Sequence, residues 1–139
     1  METQAFLKVS GISGTSVDRS HPHWIDIESF RVDANSYFSG GTELSSGHSK
    51  GTRRIGESSF IKRVDATSAI LMVAMTKGTH FDEAVLETVV INGKARQNNL
   101  RVRFKDVVVI SFKTQGKGES DFPLEQITIG FATRETSTF

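Results

Sequence analysis

At 139 residues the chain has the usual size of one compact domain and is long enough to bury a core without staples. Seventeen basic side chains against sixteen acidic ones leave a formal charge of +1, so no global field steers it toward nucleic acid or an anionic membrane. Cysteine is absent, which excludes disulfides, thiolate catalysis and cysteine-held metal, and no window approaches the ~18 apolar residues of a spanning helix.

Ten phenylalanines, twelve glycines and only two prolines, with short apolar runs between turn-forming clusters, predict a mainly β protein. In chain order the expected strands are Ala5 to Val9, Trp24 to Val32, Ser58 to Val64, Ala84 to Ile91, Leu100 to Phe112 and Gln126 to Thr133. The opening "METQAFLKVSG" has neither a basic leader nor a sustained apolar stretch, so no classical signal peptide is expected. In the Leu100 strand, Leu100, Val102, Phe104, Val108, Ile110 and Phe112 share one parity, and Arg101, Arg103 and Lys105 share the other. One end therefore has a wet face, while the run Val107 to Val109 reads as covered on both sides. Asn92 and Gly93, both tolerant of positive φ, predict a hairpin turn into this strand.

One helix is expected over about 66–77, within "DATSAILMVAMTKG". Asp65 or Thr67 would cap its start, and Ile70, Leu71, Ala74 and Met75 form its apolar stripe. Lys77 and Gly78 suit its end, and Met72 and Met75 read as core filler. Six or more strands with one helix on a flank suggest a barrel or a sandwich. The stretch from Asn35 to Gly56 is unusually long for a structureless loop inside a compact domain, and such loops are usually functional or mobile. Its glycines and serines give freedom, and Tyr37, Phe38 and Leu44 give it something apolar to bury, which fits a segment ordered by a partner.

The densest cluster of reactive residue types is "HPHWIDIESF", residues 21 to 30. On a strand, His21 and His23 would share a face and could offer two imidazoles to a metal. Pro22 argues for a turn instead, and no third ligand is specified by spacing. Asp26 and Glu28 share a parity and read as a solvated strand face. His48 and His80 are isolated, "GISGT" misplaces the last glycine of a nucleophile elbow, and "GTELSSGHS" has histidine where a phosphate loop needs lysine. Residues 51 to 113 carry eleven Lys/Arg against six Asp/Glu, but the wet parity has no stacking aromatics. A solvated or subunit-facing surface is expected there, not a nucleic-acid groove, and unlike ends of neighbouring copies would attract. No catalytic residue, metal or cofactor is assigned, and no nucleic-acid or membrane partner is expected.

Gly14, Ser16, Asp18, His21, Ile25, Asp26, Ile27 and Phe30 resemble, without a gap, the opening of the haemolysin-coregulated protein (Hcp) family, the tube protein of type VI secretion systems. Ser59, Phe60, Lys62, Val64, Asp65, Leu71, Met72, Ala74, Gly78, His80, Ala84 and Leu86 are similar to the family's strand, helix and following strand. "PLEQITIGFA", Pro123 to Ala132, resembles its closing strand. The resemblance implies a single domain over 1–139: a flattened β-barrel of two sheets with one flanking helix and a long extended loop, residues 35–56. It also implies a homohexameric ring, rings stacked into a hollow tube, and the spike protein, the sheath and effector proteins as partners. Such a protein is made in the bacterial cytoplasm and delivered outside the cell or into a target cell. On this resemblance the loop reaches the next ring, with Tyr37, Phe38, Ser39, Gly40, Gly41, Thr42, Glu43, Leu44 and Gly47 as the stacking residues. A ring that carries or chaperones effectors without stacking, and a small metal-dependent hydrolase built on His21 and His23, are the competing readings.

Overall fold

The computed structural model describes residues 2–32, 56–115 and 123–138, the side chain of residue 115 excepted. The strands are β1 (Glu2–Val9), β2 (Ile25–Ile27), β3 (Ser29–Val32), β4 (Gly56–Arg63), β5 (His80–Asn92), β6 (Ala95–Gln115) and β7 (Leu124–Thr138), and the helix is α1 (Ser68–Lys77). The strands hydrogen-bond in the order β2-β1-β5-β6-β7-β4-β3, every pair antiparallel. The sheet curls until its two ends approach: Glu28, the bend between β2 and β3, donates its backbone N–H to Ile61 of β4 at 2.7 Å. The expected Trp24 to Val32 strand is thus two short strands split at that bend, serving opposite ends of one curled half-barrel.

Alternation places one parity of each strand inside. Ala5, Leu7 and Val9 of β1 meet Ala84 and Leu86 of β5, Val102 and Phe104 of β6, and Ile127, Ile129 and Phe131 of β7. At the centre the Phe104 ring lies edge-on to Phe60 with centroids 6.3 Å apart, and tilted against Phe131 at 4.8 Å. Both arrangements suit the ring quadrupoles.

β6 departs from simple alternation. Asp106 adopts φ 57°, and the inward side chains change from Val102 and Phe104 before it to Val107 and Val109 after it. The register also leaves Asn99 and Ile110 as extra residues, each opposite a place where the partner strand runs on without a gap. Val108 is consequently only half-buried and Ile110 points to solvent, unlike the single apolar parity expected. The β5–β6 turn lies one residue later than expected. Asn92 pairs with Ala95, Gly93 and Lys94 form the loop, and Gly93 supplies the positive φ of 66°.

Leu71 and Ala74 of α1 are buried, and Met75 packs beside them. Ile70 and Met72, expected inside, are nearly half exposed together with Val73. The helix ends at Gly78 with φ 67°, whose amide and that of Thr79 cap the carbonyls of Met75 and Ala74. At its start, Thr67 occupies the N-cap position without a side-chain capping bond. Asp65 acts instead, its Oδ1 accepting from the Thr67 N–H at 2.8 Å and the Thr67 hydroxyl at 2.6 Å.

Candidate functional site

Between β1 and β2 the chain crosses the convex face of the sheet. Residues 14 to 16 and 23 to 24 pair through their backbones: the Gly14 N–H donates to the His23 carbonyl, Ser16 N–H to Trp24, and His23 N–H back to Ser16, at 2.7 to 2.9 Å. A Cβ on Gly14 would stand 2.6 Å from the Trp24 carbonyl carbon. Only glycine permits that approach. His21 is carried beneath this ridge and is 1% exposed. Its ring stacks on Phe6 at 4.3 Å and meets Trp24 edge-on at 4.7 Å.

Both nitrogens of His21 are occupied. Nδ1 is 2.8 Å from Asp18 Oδ2 and Nε2 is 2.8 Å from Glu87 Oε1. Arg96 donates to the other Asp18 oxygen at 2.8 Å, and Arg101 to the other Glu87 oxygen at 2.6 Å. Carboxylate oxygens only accept, so this arrangement is satisfied in full when both ring nitrogens carry hydrogen. Burial alone would raise the Asp18 carboxyl. Hydrogen bonds from His21, Arg96 and the Ser20 amide, with the Arg96 charge, outweigh it and hold the pKa below its ordinary 3.8.

His23 is exposed, with φ 68°. The two histidines therefore share no strand face, and the two-imidazole arrangement that would support a metal enzyme is not formed. Among the described residues no three His, Cys, Asp or Glu side chains converge on a metal position. His80 is a surface residue whose Nδ1 lies 2.8 Å from Asp106.

A second polar cluster fastens α1 to the sheet. Lys62 and Glu125, direct partners on β4 and β7, both point inward, and Lys62 has no exposed surface. The ammonium donates to Glu125 Oε2 at 2.6 Å, to Asp65 Oδ1 at 2.9 Å and to the Arg63 carbonyl at 2.9 Å. Ser68, the first helical residue, donates to the same Glu125 oxygen and accepts from the Asp65 N–H. Sequence reading missed this pair. Its signal was available, since Lys62 follows Ser58 and Phe60 in the inward parity while Glu125 precedes Ile127 and Ile129.

The ridge separates two surface grooves. One, of about 570 Å³, is lined by Glu2, Val17, Asp18, Asp26, Glu28 and Arg63, among others. The other, of about 300 Å³, includes Lys8, Trp24, Glu83, Arg101 and Arg103. Val17 is 95% exposed although its neighbours Ser16 and Asp18 are fixed by hydrogen bonds. Asp26 and Glu28 face solvent, as expected. The pKa of Asp26 is raised by partial desolvation and by the negative charges of Asp65, Asp18 and Glu28, against the pull of Arg63. All the stacking residues expected from sequence, Tyr37 to Leu44 with Gly47, and also His48, lie outside the described residues.

The described residues thus form a curled antiparallel half-barrel with one flanking helix, and the two polar clusters described above brace a loop and a helix. Residues 6–137 match the family described as "Type VI secretion system effector, Hcp". The chain belongs to the Hcp family, which supplies the tube protein of type VI secretion and is a structural family, not an enzyme family. It is similar to "Protein hcp1" of Pseudomonas aeruginosa, 29% identical over 132 residues, covering 95% of this chain and 80% of that one. In fold it is similar to Hcp1 from Salmonella typhimurium, with a TM-score of 0.77 and 21% identity over 100% of this chain and 87% of that one. A type six secretion system protein gives a TM-score of 0.78 and 24% identity, over 97% of this chain and 83% of that one.

Proposed function

We propose that this protein is a building block of the type VI inner tube, six copies closing into a ring and rings stacking into a hollow conduit for effector delivery. The observation that carries the reading is the outer face of α1. A helix apolar on every side is normally buried on every side, yet Ile70, Met72 and Val73 remain open within one chain. A neighbouring copy would cover such a face. Family membership supports the same reading and supplies the expected partners: the spike protein, the sheath and effector proteins. No described helix is long and apolar enough to cross a membrane, and export without a signal peptide forms part of the proposal.

Ring closure uses two different patches on each copy, and repetition of a further contact along the axis gives the stack. We assign that axial contact to residues 36–56, with Tyr37, Phe38 and Leu44 as apolar anchors, on the grounds of composition. Native mass spectrometry tests the ring directly. The expected species has six times the 15.3 kDa mass of one chain, and a monomer persisting at micromolar concentration would refute it.

A further inference from the structure

Resting on the ring reading, we infer that the two grooves beside the residue 14–24 ridge are the two halves of the seam between neighbouring copies in the ring. The acidic groove of one copy, with Val17 as its apolar knob, receives the basic flank of the next.

The register places both charge sets on the convex face. Asp26, Phe6, Glu87 and Arg101 stand opposite one another across β2, β1, β5 and β6. Phe6 and Glu87 lie under the ridge against His21, which leaves Asp26, with Glu2 and Glu28, on one side. Arg101, Arg103 and Lys105 stand on the other, on β6. Three strand spacings separate β2 from β6, about 14 Å, which exceeds the ~8 Å screening length of physiological salt. Arg101, Arg103 and Lys105 therefore do little to neutralise Asp26 within one chain, whereas Lys8 stands on β1, one strand from β2, and reaches into the second groove beside Trp24.

Local pairing leaves a remainder on each side. Glu28 has Arg63 at 3.0 Å, and Asp18 has Arg96 and His21. Glu2 and Asp26 form no ion pair among the described residues, and clustering of like charge contributes to the raised pKa of Asp26. Across the ridge Arg103 has Glu83 at 2.6 Å and Glu135 at 3.9 Å, and Arg101 has Glu87. Lys105 on β6, and Lys8 at the edge of the second groove beside Trp24, form no ion pair among the described residues. Among the described residues, two anions without an ion pair flank one side of a hydrogen-bonded ridge and two such cations flank the other. A contact joining unlike patches of identical copies is heterologous, the geometry that closes a ring. Val17 supplies the apolar contact that charge alone lacks, held outward by a rigid loop and matched by the half-buried Trp24 in the partner groove.

The test uses the full chain and charge reversal, read by native mass spectrometry with far-UV circular dichroism as the check on folding. Glu2→Lys with Asp26→Lys, and separately Lys8→Glu with Lys105→Glu, should each weaken ring formation at least tenfold, and the loss should be reversed when the two variants are mixed. The mixed ring should contain three copies of each, because only alternation opposes unlike charges at every seam. Should a reversal disturb the fold, Asp26→Asn and Lys105→Gln remain, and each should reduce the salt sensitivity of ring dissociation. Rings unchanged by either reversal would assign the grooves to another partner and overturn the inference, as would two ring-deficient variants that fail to complement. A wild-type chain that is itself monomeric would overturn the ring reading, a separate and distinguishable result.

Discussion

Lys62 and Glu125 face each other across β4 and β7 with nitrogen and oxygen 2.6 Å apart, and neither side chain reaches solvent. Replacing such a pair with apolar groups is often neutral, whereas removing one partner strands a buried charge. Lys62→Met alone should cost about 3 to 5 kcal/mol, seen as a lower urea midpoint. Lys62→Met with Glu125→Leu should recover most of that loss. If the double variant is no more stable than the single one, the pair is not what determines the cost.

Asp18 gives an acid-dependent prediction. Its folded pKa lies below the ordinary 3.8, so its stabilising contribution is complete above the ordinary value and is lost as pH falls through the lower folded one. Trp24, the sole tryptophan, touches His21 at the heart of the same ridge and reports its state. Trp24 emission in wild type should change in a step below pH 3.8, and Asp18→Asn should lack the step. An identical acid transition in both proteins would show that Asp18 does not hold the ridge.

Thr88 offers a gain. It is buried on β5 and its hydroxyl has no hydrogen-bond partner among the described residues. Thr88→Val keeps the shape and removes a desolvated polar atom, so stability should rise by about 1 kcal/mol, with a melting temperature a few degrees higher. A fall by that amount would mean that the hydroxyl is hydrogen-bonded in solution.

Strand positions were legible wherever alternation was unbroken: Ala5 to Val9 and Leu100 to Phe104 read correctly because each inward parity is apolar. The reading of β6 failed at Asp106 and Ile110, since a left-handed residue or a bulge exchanges faces without altering the local composition. Ile70 and Met72 are indistinguishable from core residues in the sequence because an apolar helix looks alike on all sides, and periodicity cannot say which side the sheet takes. Pro22 makes the turn at His21 legible, but the burial of His21 depends on Glu87, 66 residues away. No spacing within "HPHWIDIESF" reveals that contact. Lys62 and Glu125 were legible by parity, though charge argued against placing them in a core.

The torsion at Asp106 bears on shape. β6 is the longest strand and pairs along both edges, so reversing its inward side halfway lets one continuous ribbon line two walls that face different ways. A residue that restored ordinary extended geometry there would turn Val107 and Val109 outward, and the wall would lose its bend. The bend of this wall is thus shared between one left-handed aspartate and the extra residues Asn99 and Ile110.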